Sequence, residues 1–105
     1  MLGTVTSVNG VSIRLTEERW QHITSQHPEL AHEQGLILEV VEQPERVLAG
    51  EHGQLFAVRT LSDKKWLLVV YRELEAEGVI LDGFIVTAFF NSRSRYLEGK
   101  KQLWP

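Results

Sequence analysis

Pro44 divides the chain into two kinds of sequence. From Glu17 up to it, apolar residues recur at helical spacing. After it, they come in short β-prone blocks. Proline has no amide hydrogen and its ring clashes with the preceding turn, so a helix stops there. Pro28 acts the same way upstream, because it disfavours helical geometry at His27. The spacing predicts a first helix over Glu17 to Gln26 and a second over roughly Glu29 to Gln43. Thr16 is placed to cap the first, with Glu17 and Glu18 in its first turn, where the helix dipole favours anions. Leu36, Ile37, Val40 and Val41 give the second an apolar face, and Gly35 is a point where it divides.

Beyond Pro44, Arg46 to Ala49, Gln54 to Leu61, Trp66 to Arg72 and Val79 to Phe90 read as strands. Gly50 to Gly53 and Ser62 to Lys65 read as turns, and Glu73 to Gly78 as an acidic loop. Asp82-Gly83 is a candidate break in the last strand. At the other end, Asn9-Gly10 between β-prone runs predicts a two-residue hairpin turn over Val5 to Ile13. The final stretch, Asn91 to Pro105, is polar, basic and poorly periodic. The expected fold is α+β, one domain over residues 1–105. It has an N-terminal β-hairpin or strand, with two helices packed on one face of a roughly four-stranded antiparallel sheet. The other face is left partly open, where a site can form.

Composition narrows the function classes. The chain has no cysteine, so disulfides and thiolate metal sites are both ruled out. No basic leader with an apolar core opens it, and the longest apolar run, Val79 to Phe90, is too short to span a bilayer. A cytoplasmic protein without membrane insertion is expected. The net charge of −3 argues against a generic nucleic-acid binder. The charge is uneven, however: Arg93, Arg95, Lys100 and Lys101 stand against Glu98 alone after Asn91.

Two histidines, His22 and His27, close the first predicted helix. Imidazole gives and takes protons near neutral pH, so such a pair suits general acid–base chemistry, phosphodiester cleavage included. Each also has a structural reading: His22 as an exposed residue off the main apolar stripe, His27 as a helix C-cap. Glu29 either orients His27 or begins the second helix. Arg59 either clamps a phosphate with its planar fork or pairs with a carboxylate. Thr87 is expected to share a face with Ile85 and Phe89 by strict alternation, as a phosphate donor or simply as a β-former. Arg93, Arg95, Lys100 and Lys101, with Tyr96 and Trp104 interleaved, suit an RNA strand or a solvated tail. His22, His27 and His32 are spaced by five, about 140° apart on a helix, so no shared metal is expected.

Leu15-Thr16, Trp20-x-His22-Ile23 and His27-Pro28-Glu29 together resemble the opening of small bacterial and phage toxins of the barnase–EndoU–colicin–RelE-like nuclease superfamily. Leu67-Leu68-Val69-Val70, Ile85-Val86-Thr87-Ala88-Phe89 and Leu103-Trp104-Pro105 extend the resemblance, which covers roughly Val11 to Pro105. It implies two helices followed by an antiparallel sheet, metal-independent RNA cleavage with no cofactor, and restraint by an antitoxin protein. The acidic balance and the stretch Arg72 to Glu77 depart from the simple pattern.

These residues fit two functions. The first is an endoribonuclease toxin in which His22 and His27 move protons. Arg59, Thr87 and Arg93 hold the scissile phosphate, and Arg93, Arg95, Tyr96 and Lys101 bind RNA. The second is a non-catalytic binding or protein-interaction module of the same fold.

Overall fold

A computed structural model describes residues 2–105, Leu81 by its backbone alone. The chain order is β1 (Gly3–Thr6), β2 (Ser12–Leu15), α1 (Glu17–Gln26), α2 (Gln34–Glu42), β3 (Arg46–Ala49), β4 (Leu55–Ser62), β5 (Lys65–Ala76), β6 (Val79–Asn91), α3 (Ser94–Glu98) and β7 (Gln102–Trp104). Single 3-10 turns occupy Pro28–Leu30 and Glu51–Gly53.

Among the described residues the sheet has seven strands, in the order β1-β2-β6-β5-β4-β3-β7. This overturns the expected four-stranded antiparallel sheet. Two additions account for the difference. The N-terminal hairpin docks on the opposite side of β6 from β5, with Ile13 facing Gly83 and Arg14 facing Phe84 in a parallel pairing. The C-terminal segment, expected to be irregular, forms a third helix and adds β7 to the outer edge of β3. Parallel pairing needs a long crossover between its strands, and the whole of α1 through β5 serves as one here.

The hairpin signals also change places. Around Asn9-Gly10 the Gly10 N–H closes on the Ser7 carbonyl at 2.9 Å, so Val8 and Asn9 are the central residues and Gly10, at φ 79, follows them. The two-residue turn lies instead at Glu77-Gly78, with φ 54 and 80, between the paired residues Ala76 and Val79. Positive φ at both central positions matches the twist of the flanking strands. The supposed acidic loop is thus a two-stranded arm, on which Leu74, Val79 and Ile80 are exposed.

α1 spans the expected residues. Thr16 Oγ1 accepts from the Arg19 amide at 3.2 Å, and the helix ends at His27, which takes non-helical φ −135 before Pro28. α2 is shorter than expected: Pro28 starts a separate 3-10 turn, and the helix runs only from Gln34.

Both faces of the sheet are apolar. Leu67, Val69, Tyr71, Ala57, Ile85 and Ala88 face α1 and α2, against Ile23, Ile37, Val40 and Val41. Leu68, Val70, Phe56, Val58 and Leu48 face the other way, against Leu97 of α3. After β6 the chain therefore crosses this second face as a strap before β7 pairs with β3. No described helix is long and apolar enough to cross a membrane.

Candidate functional site

The strap-covered face gathers the chemistry-bearing side chains, and a β-bulge helps select them. Tyr71 pairs with Ile85 and Val70 with Thr87, so Val86 is an extra residue in β6. Residues opposite each other in an antiparallel pair point to the same face. Ile85 therefore lies with Tyr71 on the helix side, whereas Thr87 lies with Val70, and Phe89 with Leu68, on the strap side. The expectation that Ile85, Thr87 and Phe89 share one face is corrected by this bulge. The Val86 carbonyl accepts from Arg19 Nε at 3.0 Å and from Nη2 at 2.7 Å.

β2 pairs with β6 only at Gly83 and Phe84. Beyond them α1 meets β6, through Arg19 at the Val86 carbonyl and, at its C-terminal end, near Phe89. His27, at that end, is half-buried, with its ring 6.1 Å from Phe89. Phe89 meets Tyr96 of α3 edge-on at 5.9 Å, and Tyr96 lies over Phe56 at 6.2 Å. The Lys100 ammonium sits 4.6 Å from the Tyr96 centroid and 4.9 Å from that of Phe56, held by the negative faces of both rings. An imidazole, three aromatic rings and an ammonium thus form one row. Glu51 and Gln54 join Phe56, Tyr96 and Lys100 around a hollow of about 260 Å³. The Tyr96 pKa is raised by partial burial and, secondarily, by the Glu51 carboxylate, from an ordinary phenol value that already lies well above neutral pH.

The other expected site residues fall elsewhere. His22 is exposed on α1, and its imidazole has no hydrogen-bond, ion-pair or ring partner among the described residues. Arg59 pairs with Leu67 and so faces the helices, not the strap. Its Nη1 meets Glu39 Oε2 at 3.0 Å and its Nη2 donates to the Gln43 carbonyl at 2.8 Å, which closes the end of α2. The carboxylate-pairing alternative describes it, and the phosphate clamp does not. Glu29 Oε2 lies 3.8 Å from His27 Nδ1, close enough for charge attraction but too far for a hydrogen bond. Lys101 is exposed, and its carbonyl accepts from Ala49.

Arg93 and Arg95 line a separate groove of about 540 Å³ with Trp66, Lys64 and Asp63. Phe56, Phe89 and Trp66 were not singled out from the sequence, because apolar residues in strands carry no local sign of which face they occupy. Among the described residues no three of His, Asp and Glu converge as a metal-binding group. Compared with protein-family models, curated proteins and solved structures, the chain matches none.

Proposed function

We propose that this protein is a metal-independent endoribonuclease, acting as the toxin of a toxin–antitoxin pair, with its site on the strap-covered face. The observation that carries the reading is the row His27–Phe89–Tyr96–Lys100, with centroid separations of 6.1 and 5.9 Å and the ammonium 4.6 Å from Tyr96. It combines a proton-transfer group, surfaces on which bases stack, and a fixed positive charge for a phosphate. The resemblance of the α1 segment and the terminal Leu103-Trp104-Pro105 to toxin nucleases supports the same reading.

In this reaction His27 removes the proton from a ribose 2′-OH. The resulting oxyanion attacks the adjacent phosphorus, and the bond to the 5′ oxygen breaks. That oxygen takes a proton from the Tyr96 phenol. The products are a 2′,3′-cyclic phosphate and a free 5′-OH. Lys100 meets the charge that builds on the phosphoryl oxygens, and Thr87 offers a hydroxyl on the same face. His22 lies outside this row and has no part in the scheme.

The test is incubation of purified protein with RNA in EDTA, with products resolved by end-group analysis. Cleavage leaving cyclic phosphate is expected. A single 2′-deoxy substitution should block it at that position. His27→Ala should lower the rate by about 10²- to 10⁴-fold, the span of one general acid–base group. His22→Ala should retain it. Unchanged cleavage by His27→Ala overturns the mechanism. RNA retention without any cleavage favours the binding-module reading. Induced expression in a bacterial host should arrest growth, and co-expression of the neighbouring gene should relieve it.

A further inference from the structure

The strap serves two places at once. Tyr96 reaches back to Phe89 and Phe56, whereas Arg93 and Arg95, just before it, border the groove beside Trp66. Trp66 packs on the strap side of the sheet, like Phe89. It pairs with Asn91, two residues beyond Phe89 in β6. Two residues of strand span about 7 Å, so the indole stands one step along the same face from the aromatic row. Lys64, Arg93 and Arg95 are exposed around the groove against the single acid Asp63, which makes it locally cationic in a chain of net charge −3.

We infer that the Trp66 groove holds a nucleotide flanking the scissile phosphate, its base on the indole and its phosphate on Arg93 and Arg95, so that the substrate is a single strand of RNA. This rests on the ribonuclease reading. A half-buried indole with guanidinium groups at its rim is what an unpaired nucleotide requires, because bases stack on aromatic planes while phosphates meet cations. Paired bases are stacked on one another within a duplex and cannot lie on the indole. The groove and the site are separate hollows joined by one segment, in which Arg95 borders the first and Tyr96 the second, so one extended strand can reach both.

The experiment measures binding of a short 2′-O-methyl RNA, which cannot be cleaved, as a function of salt. Trp66→Ala should weaken binding about tenfold with the salt slope unchanged, and Trp66→Phe should restore most of it. Arg93→Gln and Arg95→Gln should each flatten the slope of log K against log salt by about 0.7, the value for one phosphate contact on a single strand. A duplex of the same sequence should bind at least about tenfold more weakly. If Trp66→Ala fails to fold, the two exposed arginines carry the test. Tight binding by wild type with both slopes and affinities unchanged in the variants, or equal binding of duplex, overturns the groove assignment and leaves the ribonuclease reading standing. If wild type retains no RNA at low salt, both fall.

Discussion

The Arg19 guanidinium holds the Val86 carbonyl oxygen with two hydrogen bonds, from Nε at 3.0 Å and Nη2 at 2.7 Å. Val86 is the extra residue of the β6 bulge, beyond the two residues that β2 pairs. A bulge disrupts the ladder locally, and a carbonyl at such a point is open to a donor from another element. α1 supplies it. The same helix places His27 against Phe89, so one element both satisfies the bulge and completes the aromatic row.

Arg19→Ala removes a charged donor and strands a partly buried carbonyl. Loss of about 1.5–3 kcal/mol is expected, the range for hydrogen bonds to charged groups. The urea midpoint measures it. Arg19→Lys should recover only part, because an ammonium is a point donor and cannot present two N–H groups in a fixed fork. Stability unchanged in Arg19→Ala would mean that water serves the carbonyl equally well.

Gly83 lies where β2, β5 and β6 converge, opposite Ile13 on one side and Glu73 on the other. A Cβ there would collide with the Arg72 carbonyl oxygen and with Ile13 Cδ1. Backbone cannot give way as a side-chain tip can. Gly83→Ala should therefore lower stability by about 3 kcal/mol, the upper end for overpacking, read as a fall in Tm. A wild-type Tm in the variant would show that the N-terminal hairpin can shift away without loss.

Arg59 bridges Glu39 and the Gln43 carbonyl at the end of α2. The ion pair is partly exposed, so screening keeps its share small, and the bond to the helix-end carbonyl adds to it. Arg59→Ala should cost about 1 kcal/mol by denaturant titration. RNA cleavage should stay near the wild-type rate, because the guanidinium faces the helices. A rate loss of several orders with stability intact would return Arg59 to the phosphate.

What was legible in the sequence is local. Thr16, Glu17 and Pro28 delimit α1 by rules that act within one turn, and α1 runs over the residues they bracket. Arg59 was correctly opposed to Val58 by alternation, but parity within one strand does not say which face meets the helices. Alternation puts Thr87 with both Ile85 and Phe89, but one inserted residue, Val86, parts it from Ile85 and leaves it with Phe89. The parallel pairing of β2 with β6 and the strap over Phe56 and Phe89 join residues far apart in sequence. No periodicity encodes such contacts. The aromatic row is therefore invisible as a row in the sequence, although the chemistry of Tyr96, Lys100 and His27 is legible residue by residue.

Tyr71 sets the alkaline limit of the fold. It is fully buried on the helix side, and its hydroxyl has no hydrogen-bond partner among the described residues. Burial, and then the Glu73 carboxylate, push its pKa well above the usual phenol value. In the unfolded chain the phenol loses its proton near pH 10, and in the folded chain only at higher pH. Between the two the folded state holds one more proton. Stability from this group is thus fully present below about pH 10 and falls by about 1.4 kcal/mol per pH unit above it. Urea midpoints measured from pH 8 upward should show that slope. Tyr71→Phe should flatten it. At neutral pH the same variant should be as stable as wild type or more so, because it removes a buried hydroxyl that no partner satisfies. A Tyr71→Phe protein less stable than wild type by more than about 1 kcal/mol at pH 7 would show that the hydroxyl is bonded, most simply to a buried water.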